Sequence, residues 1–441
     1  MIFEADKTAK PVFKERLLWL LYLAPFFFLL YGSANQIVAS YSHVPSFAFS
    51  WEKDIPFIPE MIIPYISLDL LFGFSFLFPQ TRDELQRHAM RLGFSIAISV
   101  IFFLIFPLQF SFARPEVSGW LTPVFEALKA DLPYNQFPSL HIALSMVVGY
   151  QFLRHSRQVL WWLYALWFVL IIASILFIYQ HHFIDIPGGI LVGVLAFYCY
   201  PVKGKTRLPL YFVSPKHLGM ALKYMLITIV FTIAAFKVSS LWILFTWLAG
   251  SMLLLSIVYA TGLNNLSQKK RGRVSWLYLL LFWPYFLANH ITWWYWRSKV
   301  AAVNQIDKTV FIGMSLGQEN HAQLEENNIN TVIDLAPELN SHIPSNVDYL
   351  TIPLLDLSIP DPQRLAVIVD RIEQASRKGK VLVHCKLGLS RSILAACAWL
   401  MSKGDSRKEA WQKLKTIQPL CTDRPYMHIA LELYEAGRRH K

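Results

Sequence analysis

The run His384-Cys385-Lys386-Leu387-Gly388-Leu389-Ser390-Arg391-Ser392 sets a cysteine and an arginine five residues apart. That spacing lets one loop curl around a tetrahedral oxyanion. The loop N–H groups, those at Lys386 and Gly388 among them, and the N-terminus of a following helix would face the anion. Such a positive field favours a thiolate, so Cys385 would attack phosphorus as the nucleophile. Arg391 offers a planar fork of donors to two phosphate oxygens. The plainer alternative is a structural cysteine in a glycine-containing turn.

A second constellation lies far upstream. Phe137-Pro138-Ser139-Leu140-His141 opens one apolar stretch, and Tyr179-Gln180-His181-His182-Phe183-Ile184-Asp185 opens another. On a helix, His181 and Asp185 would share a face, and the carboxylate would orient the imidazole and stabilise its cation. With His141 on a neighbouring helix, one imidazole as nucleophile and one as acid would split phosphate-ester cleavage into two steps through a phosphohistidine. The plainer alternative makes these residues polar caps at a membrane boundary. For His182 alone, that alternative is preferred.

The two groups need different frames. Lys380-Val381-Leu382-Val383 reads as a buried strand, and residues 393–400 read as a helix, so the Cys385 loop lies where a strand feeds a helix. Residues 309–313, 331–335 and 349–354 read as further strands, and 315–327, 362–377 and two stretches of 406–436 as helices. Strands alternating with helices predict a parallel three-layer α/β domain over 301–441. Upstream, the chain is a polytopic α-helical membrane protein by composition. Of its 441 residues, 55% are hydrophobic and only 16% charged, with a mean hydropathy of +0.38, too apolar for a soluble enzyme.

Apolar stretches near the ~20 residues that cross a bilayer fall at 17–41, 57–79, 92–112, 137–153, 158–178, 184–200, 218–236 and 240–260. An aromatic, Pro-broken segment at 276–296 reads as interfacial or re-entrant, since Trp293-Trp294-Tyr295-Trp296 favours the head-group level. Basic residues cluster before the first stretch and after the second, fourth, sixth and eighth. The positive-inside rule then puts the N-terminus and the C-terminal domain in the cytoplasm, with the histidine site on the opposite face. The net charge of +12 suits anionic lipid head groups and does not require nucleic acid. The four cysteines (Cys199, Cys385, Cys397, Cys421) show no disulfide or metal-ligand spacing, so neither a metal nor another cofactor is implied.

The motifs carry two resemblances. Pro138-Ser139-Leu140-His141 with His181-x-x-x-Asp185 resembles the type 2 phosphatidic acid phosphatase (PAP2) superfamily, in the branch of the inositol-phosphoceramide and sphingomyelin synthases. The resemblance implies a six-helix core over 1–212, with His181 as nucleophile, Asp185 as its orienter, His141 as acid/base and Arg114 as a phosphate binder. Residues 213–300 would add two or three membrane or interfacial helices. Pro107 stands where that pattern has a Lys, and Ile175 follows Ser174 where it has a basic residue, so phosphate binding is thinner than in the family.

Residues 304–437 resemble the dual-specificity phosphatases through the Cys385 loop, Val310-Phe311-Ile312-Gly313 and Asp334-Leu335-Ala336-Pro337-Glu338. That resemblance implies Asp356 as general acid, with Asp361 in reserve as an alternative to a helix cap. Ser392 would assist departure of the thiolate, and His384 would hold the loop from behind. Lys386 is similar to the basic residue that phospholipid-directed members carry after the Cys, whereas Leu389 departs from them.

The expected molecule is therefore a two-site membrane phosphatase or phosphotransferase acting on phosphorylated lipid, phosphoprotein or both, in a bacterial inner membrane or an endomembrane. The alternatives are a single-activity phosphatase anchored by a degenerate PAP2 domain, and a transporter with a regulatory domain.

Overall fold

The computed structural model describes residues 8–129, 131–263 and 269–439. They form two compact units, Lys7–Pro209 and Leu210–Lys441. The second unit holds the helices of 213–300 together with the α/β domain, where the sequence suggests three separate parts.

The first unit is helical: α1 (Phe13–Ala39), α2 (Ile62–Ser75), α3 (Arg82–Ile105), α4 (Thr122–Leu128), α5 (Leu140–Arg154), α6 (Gln158–Phe177) and α7 (Asp185–Cys199). Of these, α1, α3 and α6 are long and apolar enough to cross a membrane. The helices α2, α5 and α7 have 14, 15 and 15 residues, shorter than the stretches at 57–79, 137–153 and 184–200 suggest. The expected span at 92–112 also shifts. Its helix starts at Arg82, where Thr81 caps the N-terminus by accepting from Glu84 N.

The shift has an electrostatic cause. Arg87 and Arg91, expected in a loop, are buried in α3. Arg91 Nε donates to Tyr200 O at 2.7 Å, and Arg87 donates to the carbonyls of Pro201 and Gly204 at 2.9 and 3.1 Å. These cations satisfy carbonyls at and beyond the end of α7, where the helix dipole favours positive charge.

The second unit opens with α8 (Pro215–Lys237) and α9 (Trp242–Thr261), both long and apolar enough to span. The 276–296 segment is not one helix. It breaks at Phe282 into α10 (Trp276–Leu281) and α11 (Trp283–Trp296), with Pro284 in the first turn of α11, where its missing N–H costs nothing. Neither piece is long enough to cross a membrane.

The α/β domain follows with β1 (Val303–Gln305), β2 (Val310–Met314), α12 (His321–Glu326), β3 (Ile329–Asp334), β4 (Asp348–Thr351), α13 (Pro362–Lys378), β5 (Lys380–Cys385), α14 (Arg391–Lys403), α15 (Arg407–Ile417) and α16 (Pro425–Arg439). The sheet order is β1-β2-β5-β3-β4. All neighbours are parallel except β1, a three-residue antiparallel edge strand the sequence reading missed. The expected helix at 315–327 shrinks to α12. Strand β5 sits at the centre and is buried at every position after Lys380, as a strand covered on both faces must be. Helix α13 turns Leu365, Ile368, Val369, Ile372 and Ala375 onto the sheet at the i, i+3, i+4 spacing. Helix α14 is buried along most of its length.

Candidate active sites

Strand β5 delivers Cys385 to the C-terminal edge of the sheet, the end where open parallel sheets place their ligands. The chain then makes the 386–390 loop and enters α14 at Arg391. Gly388 has φ +72°, and a Cβ there would lie 2.8 Å from the Gly313 carbonyl carbon. Only glycine meets both conditions.

The loop carbonyls point away from the cysteine. Lys386 O accepts from Ser315 N at 3.2 Å, Leu389 O from Thr422 N at 2.8 Å and Ser390 O from Leu394 N at 2.8 Å. Among the described residues, none accepts from the N–H groups of Leu387, Gly388, Leu389 or Ser390. That leaves a nest of donors for an anion.

Side chains complete this site. Cys385 Sγ lies 3.4 Å from Ser392 Oγ. Arg391 is buried and held by Glu338, which takes Nη1 at 3.0 Å and also accepts from Nη2, while Leu354 O accepts from Nη1 at 3.0 Å. Arg391 Nε has no hydrogen-bond partner, although it is buried. Its closest charge is Asp356 Oδ1, at an ion-pair distance of 3.4 Å. Asp356 also faces Lys386 Nζ at 3.3 Å. Burial alone would push the Asp356 carboxyl up, but Arg391 and Lys386 outweigh it and hold the carboxyl below the ordinary range. Asp361 stands elsewhere, capping α13 by accepting from Gln363 N at 2.8 Å.

Behind the loop, His384 is fully buried, with Nδ1 3.4 Å from Cys385 O and Nε2 3.7 Å from Asp334 Oδ1. Burial lowers its pKa, opposed by the Asp334 charge. Asp334 itself is anchored by Lys269 Nζ and Tyr349 Oη, each at 2.7 Å. Glu338 and Lys269 carry roles that the sequence reading did not assign. The only signal for Glu338 was its place at the end of the Asp334–Glu338 motif, and Lys269 lies outside the domain in sequence.

In the first unit, His181 Nδ1 lies 3.1 Å from Asp185 Oδ2. The pairing is made by the turn before α7 and not by a helix face, because α7 begins at Asp185; His182 N donates to the same oxygen at 3.0 Å. Ser139 N donates to Asp185 O at 3.1 Å and so ties the head of α5 to the head of α7. A Cβ at Gly189 would stand 2.4 Å from Ser139 O, so this approach requires glycine.

His141 and His181 line one cavity of about 620 Å³ with Tyr31, Tyr65, Asp69 and Asp131. The His141 ring stacks on Tyr65 at 4.2 Å, and its buried Nε2 has no partner. Asp131 accepts from Tyr31 Oη and Asn35 Nδ2, each at 3.0 Å. His182 does not share this cavity. Its Nδ1 faces Glu52 Oε2 at 2.9 Å and its Nε2 faces Ser111 Oγ at 3.0 Å, a structural arrangement. Arg114 donates to the carbonyls of Ile178 and Tyr179 and to Gln180 Oε1. Among the described residues, no Lys or Arg lines the cavity.

Comparison with known proteins agrees with both motif readings. The sequence model of the PAP2 superfamily matches residues 63–199, and that of the dual specificity phosphatase catalytic domain matches 310–437. Dual specificity protein phosphatase 18 of Mus musculus is 30% identical over 107 residues, covering 24% of this chain and 57% of its own length. Dual specificity protein phosphatase 1B of Arabidopsis thaliana is 35% identical over 106 residues, covering 23% and 62%. The crystal structure of human DUSP28 is 25% identical and covers 32% of this chain and 96% of its own, with a TM-score of 0.29. The chain spans little more than half the length of the first of these curated relatives. It joins a PAP2-superfamily domain to a dual specificity phosphatase catalytic domain.

Proposed function

We propose that the C-terminal domain hydrolyses phosphomonoesters through a cysteinyl-phosphate. The observation that carries this reading is the nest of unbonded N–H groups over Cys385, closed by an Arg391 whose buried Nε makes no hydrogen bond. The Cys385 thiolate attacks phosphorus while the P–O bond to the leaving group breaks, and Asp356 gives that oxygen its proton. Water then attacks the cysteinyl-phosphate, Asp356 takes its proton, and the Ser392 hydroxyl donates to the departing thiolate. Bound phosphate places negative charge beside Arg391 and Lys386, weakening their hold on Asp356 and raising it toward the protonated form that the first step needs. Cys385→Ser should abolish turnover of an aryl phosphate with folding intact, and wild-type turnover should persist in EDTA. Full activity in the variant, or loss in EDTA, would contradict the assignment.

For the membrane domain we propose lipid phosphate or head-group chemistry, with His181 oriented by Asp185 and His141 as acid/base. The shared cavity supports this reading. The second reading, an anchor without activity, is favoured by a specific observation: among the described residues, the cavity wall carries Asp69 and Asp131 but no Lys or Arg. Replacement of His141, His181 and Asp185 by Ala decides between them. Loss of a lipid-phosphate reaction supports the catalytic reading, and no effect of any of the three supports the anchor.

A further inference from the structure

Three loops surround the phosphate site, and all three are fastened to the helical layer of their own unit. On α11, Asn289 Oδ1 accepts from Lys386 Nζ at 2.7 Å. On α9, the Tyr259 hydroxyl donates to Asp356 O at 2.9 Å. The segment before α10 holds the loop after Glu338: Val274 N donates to Asn340 Oδ1 and Ser341 N donates to Gly272 O, both at 2.9 Å. Trp293 of α11 adds a bond from Nε1 to Ser315 O at 2.9 Å and packs with Leu387 and Leu389 of the catalytic loop. The catalytic mouth thus faces the apolar helices, and Cys385 keeps only 1% of its surface exposed.

Beside the mouth runs a groove of about 600 Å³. Phe286, Leu287, His290 and Trp294 of α11 form one wall, and Leu316 and Glu338 of the α/β domain form the other. Glu338 is also the carboxylate that grips Arg391, so the groove wall and the phosphate site share one residue. In the same unit, α8, α10 and α11 leave large apolar side chains exposed, among them Leu226, Val230, Phe236, Trp276 and Ile291. Exposed Lys270, Arg271 and Arg273 flank this surface at one end, and Arg297 and Lys299 at the other. Aromatic residues between basic flanks are the composition of a segment lying among anionic head groups.

We infer that the substrate of the Cys385 site is a membrane-resident phospholipid whose head group ends in a phosphomonoester. It would be presented by α11, with its apolar body along the Phe286–Trp294 face and its phosphate at the 386–390 loop. This rests on the cysteinyl-phosphate reading above and adds the substrate class. A folded phosphoprotein would have to displace the helical layer, whereas a lipid already lies in the plane of that layer.

The test uses the full chain in nanodiscs, in a His181→Ala background that silences the other site. The probes are phosphatidic acid, phosphatidylglycerol phosphate and a phosphatidylinositol monophosphate, with a phosphotyrosyl peptide and a soluble aryl phosphate for comparison. At least one lipid should exceed the peptide in kcat/KM by about 100-fold, since the apolar groove contributes binding energy only to a lipid. Leu287→Trp, which fills the groove, and Trp294→Ala, which opens it, should each lower lipid turnover about 10-fold. Both should leave aryl phosphate turnover unchanged, which also reports intact folding. Peptide turnover equal to or above every lipid overturns the inference but leaves the catalytic reading standing, as does lipid turnover indifferent to both variants. No turnover of any probe, aryl phosphate included, overturns the catalytic reading and this inference together.

Discussion

At the scale of residues, legibility followed covalent spacing. Cys385, Arg391 and Ser392 belong to one short run, so their meeting is fixed locally. Asp356 was singled out by its place after a strand, and it lies beside Arg391 whereas Asp361 caps α13. Glu338 was not singled out, because a carboxylate 53 residues before its partner leaves no periodic trace. Its two bonds to Arg391 fix the guanidinium so that Nε remains for the substrate. Breaking a buried pair by removing one partner costs about 3–5 kcal/mol, because it strands a charge. Glu338→Ala should therefore lower the thermal midpoint of the α/β domain and reduce kcat for an aryl phosphate by at least about 10-fold. Unchanged melting and unchanged kcat would remove Glu338 from the site.

At the scale of elements, the alternating strands and helices of the α/β domain were readable, because strands buried on both faces are continuously apolar and α13 is amphipathic. The edge strand β1 was not, since three half-exposed residues carry no pattern. Helix boundaries in the first unit moved for the reason given by Arg87 and Arg91: an arginine that satisfies carbonyls can sit inside a helix, while sequence alone reads it as loop. His181 and Asp185 met as expected, but through a turn.

The linker between α9 and α10 makes its own claim, because Lys269 reaches into the sheet. Burial pushes the Asp334 carboxyl up, yet Lys269 and His384 outweigh it and hold it below the ordinary range. A carboxyl depressed by folding contributes stability above its unfolded pKa, about 4, and loses it as pH falls through the lower folded value. Lys269→Met strands Asp334 and should cost about 3 kcal/mol at pH 7. It should also move acid unfolding of the second unit to higher pH. Equal stability and an unshifted acid midpoint would show that the pair does not hold this linker.

At the scale of the whole molecule, composition announced membrane helices and the motifs announced two phosphate chemistries. The grouping of 213–300 with the α/β domain was hidden, because its ties are long-range side-chain bonds such as Asn289–Lys386 and Tyr259–Asp356. Sidedness is a proposal from charge: basic residues flank α10 and α11 at both ends, and the positive-inside rule would put the phosphatase domain on the cytoplasmic side. With half-buried Cys199 replaced by Ser, Lys413→Cys at an exposed position of α15 should resist a membrane-impermeant thiol reagent until cells are lysed. Labelling before lysis would put the domain on the outer face.

The proposed chemistry passes through a covalent intermediate on one sulfur. It is tested most directly by mixing the purified full chain with a phosphomonoester carrying labelled phosphate, quenching in acid within one turnover, and mapping the label by mass spectrometry. Label is expected on Cys385, more of it in Ser392→Ala, whose thiolate departs more slowly, and none in Cys385→Ser. Turnover with no label on Cys385, or the same labelled peptide in Cys385→Ser, would contradict it.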